Sequence, residues 1–282
     1  MLPLKNTITT IVYENLLSRN LTVLCLALAL SACSATVKLP GPVKKNNSSK
    51  AQPRNVIKEA PKADKTKIHA KLARGYLQQK QYAIAKTELD KVLRMEPDHS
   101  EGNYIMALLM MELDQFDKAE KHFEKAVKSD KENSAAAHDF GMFLCQTGQE
   151  RRSISYFETA VSNPLFARSE LSYMRAGECL AKIGDPEAEK YLKGALTKNA
   201  KLRPALYRLA SIKYEQKSYL LARAYIERYL AITKPQPASL FLAYQIESKL
   251  KAKDVADKYR LTLLEEFPGS KQANSLRGQV QQ

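Results

Sequence analysis

Tryptophan is absent from the chain, and glycine is scarce, at 10 of 282 residues. So few glycines argue against Gly-rich phosphate cradles and against turn-dense β architectures. No GxGxxG or Walker-type run is present. The four histidines (His69, His99, His122, His138) stand in no HExxH arrangement and in no zinc-like spacing with the four cysteines. Metal and nucleotide chemistry are thereby disfavoured. The sequence offers no catalytic residue, no metal ligand set and no cofactor site. Nor does any apolar run approach the roughly 20 residues of a spanning helix; the strongest, Leu21–Leu30, has ten.

What remains is a basic, core-forming chain. Lys and Arg number 45 against 30 Asp and Glu, and 44% of residues are hydrophobic, enough for a folded core. The amino terminus reads as an address rather than as part of the fold. Lys5 and Arg19 form a positive flank, Leu21–Leu30 an apolar segment, and Ser31, Ala32 and Cys33 follow. Leu30–Cys33 resembles the bacterial lipobox, which implies removal of a signal peptide, residues 1–32, and acylation of Cys33. Ser34, rather than Asp, then implies sorting to the outer membrane, facing the periplasm. Several acyl chains make a durable anchor without a spanning helix. A simple secretory signal with an incidental cysteine is the alternative, and Glu14 in a long leading region leaves room for a start downstream of Met1. Residues 33–65 carry an excess of Lys and Arg, four prolines (Pro40, Pro42, Pro53, Pro61) and no apolar periodicity. They read as a disordered basic tether, a soluble spacer first and an attractor of anionic lipid second. An exported chain does not ordinarily meet nucleic acid.

From Thr66 the sequence repeats with a period near 34. Ala85/Leu89/Val92 is followed by Ala119/Phe123/Ala126, Ser153/Phe157/Ala160, Ala188/Leu192/Ala195, Ala222/Ile226/Tyr229 and Val255/Tyr259/Thr262. Spacings of four and three place each set on one helical face. Upstream in each unit stands another small residue: Ala73, Ala107, Gly141, Gly177, Ala210 and Ala243, with steps of 34, 34, 36, 33 and 33. This is the tetratricopeptide pattern of helix, turn and helix. The expected fold is all-α, a right-handed superhelix of about six repeats over 66–99, 100–133, 134–169, 170–202, 203–235 and 236–269. Gly148 and Gly184 fall at turns, and Pro97, Pro164, Pro235 and Pro268 mark unit ends. One 34-residue unit cannot bury its apolar face, but stacked neighbours can. An ordinary helical bundle would not keep register over six periods. Residues 270–282 are assigned no element and read as a tail.

Such stacks bind peptides or partner helices on the face lined by the first helix of each unit. With the repeated small residue at position eight, positions two, five, nine and twelve face the groove. They give Tyr104, Leu108, Met111, Met142, Met174, Tyr207, Tyr214, Leu240 and Tyr244, a stripe rich in Met and Tyr of the kind protein-binding surfaces favour. Packing between neighbouring helices is the alternative for each. His138 also holds a groove position, but a lone histidine is more often a packing residue. Cys145 and Cys179, at positions twelve and ten of adjacent units, lie 34 residues apart. Equivalent positions one repeat apart are too distant to bridge, but the 36-residue step offsets them, and an oxidising periplasm favours a disulfide over two independent buried thiols.

The middle of the chain carries a more specific likeness. His138–Gly148 (HDFGMFLCQTG), Phe157–Leu165 (FETAVSNPL), Gly177–Cys179, Leu206–Tyr214, Arg228–Tyr229 and Phe267–Ser270, together with the lipobox, resemble the type IV pilus biogenesis/stability lipoproteins, which include the pilotins of pilus secretins. Members of that family usually carry Asn at the two positions before the aromatic-Gly pair, where His138 and Asp139 stand here. The resemblance implies an outer-membrane lipoprotein that binds the pilus secretin, or another pilus assembly protein, and promotes its localisation and multimerisation, or else stabilises pili. It implies no small-molecule substrate and no enzymatic activity. Another periplasmic scaffold built from these repeats, serving barrel assembly or a peptidoglycan enzyme, is the competing expectation.

Overall fold

The computed structural model describes residues 61–280. Residues 1–32, Cys33 and the tether up to residue 60 lie outside the described residues. Among those described there are thirteen α-helices and no strand. Twelve pair into six hairpins: α1 (Lys62–Gln78) with α2 (Tyr82–Met95), α3 (Ser100–Glu112) with α4 (Phe116–Ser129), and α5 (Ser134–Gln146) with α6 (Glu150–Ser162). Then come α7 (Ser169–Lys182) with α8 (Ala188–Lys198), α9 (Arg203–Glu215) with α10 (Tyr219–Leu230), and α11 (Pro237–Lys249) with α12 (Lys253–Glu266). Each hairpin packs on the next, so the stack is the tetratricopeptide fold.

The repeated small residues explain the pairing. Ala73, Ala107, Ala210 and Ala243 have no exposed surface. At Gly141 an added Cβ would lie 2.9 Å from the Phe157 ring, and at Gly177 only 2.6 Å from Leu192. The two helices of a hairpin meet at these points, and the large partners fill the seam: Leu89, Phe123, Phe157, Leu192 and Ile226 are at most 1% exposed. Each such side chain contributes about 1.5–3 kcal/mol by its burial. Phe123 and Phe140 stack with centroids 5.3 Å apart, and Phe140 meets Tyr156 at 4.2 Å, extending the core from the second hairpin into the third.

One helical register and two boundaries differ from the sequence reading. In the last hairpin the buried residues are Ala256 and Leu263, whereas Val255 is 44% exposed. Ala256 lies one repeat of 34 after Ala222, and Leu263 one repeat after Tyr229. Val255/Tyr259/Thr262 was therefore one residue out of register, a rotation of about 100° around the helix. Helix α1 begins at Lys62, inside the segment assigned to the tether. Its first turn is Lys, Ala and Asp behind Pro61: Lys and Ala are good helix formers and Asp64 suits the positive end of the helix dipole, but no apolar pattern reveals them. Residues 270–282 are not a plain tail: α13 (Lys271–Val280) lays Ala273 and Leu276 on Leu240 and Leu263. The Ser270 hydroxyl starts it by accepting the Ala273 N–H at 3.1 Å.

Candidate partner-binding site

The first helices of successive hairpins, α1, α3, α5, α7, α9 and α11, form the face on which the groove residues were expected. That expectation divides by position. Leu108, Met111, Met142, Tyr214 and Tyr244, at positions nine and twelve, are half-buried: anchored against the core, with part of each side chain open. Tyr104, Met174 and Leu240, all at position five, are only 4%, 3% and 2% exposed. A partner resting on the face does not reach them. His138, also at position five, is buried too, and Tyr207 alone of the position-five set stays half open. Position five points into the seam between neighbouring first helices, so it packs rather than lines. Glu247, at position twelve of the last hairpin, departs the other way: it is buried and accepts both Nε and a terminal nitrogen of Arg223.

Polar links that no periodicity predicts cross the same seams. Arg74 of α1 pairs with Glu101 of α3 and sits 5.4 Å from the centre of the Tyr104 ring. The Tyr104 hydroxyl donates to Asp139 of α5. His138 Nδ1 lies 2.7 Å from the Ser172 hydroxyl of α7. Burial, then the Asp139 charge, holds the Tyr104 phenol well above its ordinary range. Burial is also the main cause that pushes the His138 imidazole down to about 4; Asp139 opposes it, and Arg168 and Arg175 add to it. His138 is therefore neutral at pH 7, and Tyr104 is a permanent donor. The links run across the first four hairpins, with partners 27 to 35 residues apart.

Cys145 of α5 and Cys179 of α7 are joined by a disulfide, with their Cα atoms 5.8 Å apart. Beside it, Lys182 Nζ donates to the Cys145 carbonyl at 3.1 Å and pairs with Glu150 at 2.7 Å. The bond and the lysine pin the first helices of the third and fourth hairpins to one spacing. No group of three His, Cys, Asp or Glu able to hold a metal occurs among the described residues, and no described helix is long and apolar enough to cross a membrane.

Known proteins share this architecture. The tetratricopeptide repeat family matches residues 70–136. The chain is similar to the type IV pilus assembly protein PilF of Pseudomonas aeruginosa, with 23% identity over 203 residues, covering 72% of this chain and 81% of that one. The chain has the tetratricopeptide-repeat fold and is similar, at low identity, to a type IV pilus assembly protein. The solved structure of Pseudomonas aeruginosa PilF superposes with a TM-score of 0.63 at 21% identity, over 77% of this chain and 99% of that chain. PilW, described as a widely conserved type IV pilus biogenesis factor, superposes with a TM-score of 0.59 at 25% identity, over 75% and 97%. Tetratricopeptide stacks are typically protein-interaction modules rather than enzymes, and no catalytic family is indicated.

Proposed function

We propose that the chain is an outer-membrane lipoprotein, acylated at Cys33, that serves type IV pilus biogenesis by binding a pilus assembly protein on the face of its first helices. The partner that best fits this reading is the pilus secretin, which the chain would help to reach the outer membrane and to multimerise. The observation that carries the reading is the relationship to the pilus assembly protein PilF across 72% of the chain, on a shared fold. The half-open row of Leu108, Met111, Met142, Tyr214 and Tyr244 supports it, because Met and Tyr suit a polypeptide partner. A lipid anchor raises the effective concentration of the groove near the membrane, so capture does not require tight intrinsic affinity.

The test is Cys33→Ala in a cell that makes pili. Release of the protein from the outer membrane, fewer secretin multimers and fewer surface pili are expected. Secretin rings at normal level and position would sink the piloting role. Co-purification from outer membranes is expected to return a pilus protein; a cell-wall hydrolase or the general barrel-insertion machinery in its place would transfer the chain to another scaffold class.

A further inference from the structure

The two ends of the stack are finished differently. At the carboxyl end α13 covers Leu240 and Leu263 with Ala273 and Leu276. At the amino end α1 buries Thr66, Ala70 and Ala73 but leaves Ile68 and Leu72 55% and 44% exposed. The two are four residues apart, hence neighbours on one face. Lys65 and Lys71 stand three residues to either side of Ile68 and so border the same face. The helix carries Lys62, Lys65, Lys67, Lys71 and Arg74 against one acid, Asp64. The chain before it adds further lysines and reaches Cys33 within about 30 residues.

We propose that this face of α1 rests on an anionic phospholipid surface, with Ile68 and Leu72 entering the headgroup boundary and the lysines meeting lipid phosphates. Charge separates this occupant from a protein. The centre of a protein interface is depleted in lysine. An interfacial helix instead combines a few aliphatic side chains with flanking lysines that take up negative headgroups. Two aliphatic side chains give weak binding alone, which matches a face that needs to act only when a tether already holds it near the surface. The proposal rests on the anchor reading of Cys33 for that proximity. It implies an orientation: the amino end of the stack lies against the membrane, and the later hairpins project away from it.

The experiment uses the chain from residue 33 onward, which keeps every described helix, with Cys33→Ser so that no acyl group is present. It is floated with vesicles of phosphatidylethanolamine and phosphatidylglycerol, and separately with vesicles of phosphatidylcholine alone. Binding to the anionic vesicles only is expected, and it should weaken about tenfold in the I68S/L72S variant, which keeps every charge of helix and tether. Circular dichroism checks that this surface variant is folded. Equal binding by I68S/L72S, equal binding to both vesicle types, or no binding to either overturns the proposal. A photoreactive residue at position 72 that captures a polypeptide and no lipid in intact cells overturns it as well. Because the probe is unacylated, a failure of anchoring at Cys33 in cells leaves the vesicle result standing, and the two readings fail separately.

Discussion

The third and fourth hairpins solve the repeat problem differently from the four hairpins around them. At the crossing of paired helices the outer hairpins use Ala73, Ala107, Ala210 and Ala243, while the middle two use Gly141 and Gly177. At the turn between paired helices every hairpin has one residue at positive φ. The middle two place Gly148 and Gly184 there, and the outer four place Lys80, Asp114, Lys217 and Lys251. Only the middle pair is joined by a disulfide. The step between these two units is the longest, 36 residues against 33 or 34. A tighter crossing, an unstrained turn and a covalent staple together make the centre the most constrained part of the stack. The outer hairpins depend on apolar burial and give up some backbone ease at each turn.

The staple should show the largest difference. A disulfide closing a loop of this length stabilises by about 4 kcal/mol. Cys145→Ser with Cys179→Ser, or reduction of the intact protein, should lower the unfolding free energy by that amount in a denaturant titration. Hydrogen exchange should rise mainly in α5–α8. A loss spread evenly over all six hairpins would show that the centre is not a separate region.

Acid should come next. The His138 imidazole titrates near 4 in the fold, against 6.5 when unfolded. Between those values the unfolded chain binds more protons, so this group's contribution is complete above about pH 6.5 and is lost as pH falls towards 4. The loss is on the order of 3 kcal/mol. His138→Asn should flatten the slope of stability between pH 6.5 and 4.5. His122, which burial also holds low, keeps a smaller slope in the variant. An unchanged slope in His138→Asn would remove the histidine from the account.

Gly177→Ala should cost about 1–2 kcal/mol net. The new methyl gains about 1 kcal/mol in helix propensity. It also meets the Leu192 branch at 2.6 Å and the Ala188 carbonyl at 3.0 Å, and the backbone atom cannot swing aside. The reverse change in an outer hairpin, Ala107→Gly, should cost about 1 kcal/mol through propensity and lost contact. Thermal unfolding of the two variants side by side tests whether the centre is packed closer than the outer hairpins.

The period of 34 was legible because small residues recur where helices must touch, whatever their neighbours are. Periodicity also fixed which helix faces inward. It did not separate the open row at positions nine and twelve from the seam at position five, because both lie on the same inner side of the helix; Tyr104, Met174 and Leu240 were misplaced for that reason. Helix α13 escaped notice because ten residues with two core contacts carry no repeat of their own. Pairs such as Arg74–Glu101 and Tyr104–Asp139 were illegible in principle, since their partners sit a whole repeat away and depend on how the hairpins stack.

The smallest expected effect concerns the outer turns. Lys217 holds φ at 60°, and Lys251 at 62°, where a Cβ crowds the following carbonyl and glycine does not. The same turn in the middle hairpins is made by Gly148 at 84° and Gly184 at 69°. Lys217→Gly should therefore raise stability by about 0.5–1 kcal/mol, less whatever entropy the glycine adds to the unfolded chain. Because Lys217 is exposed and its backbone N–H already bonds the Tyr214 carbonyl at 2.9 Å, the substitution removes no buried contact. The same exchange at Lys251 should add independently, since the two turns belong to different hairpins. A gain at both sites would mean that the outer turns can be given the ease of the central ones. A loss at either would mean that the lysine stem stabilises the turn by more than its backbone strain costs, and that the difference between centre and outer hairpins lies in the staple and the crossings alone.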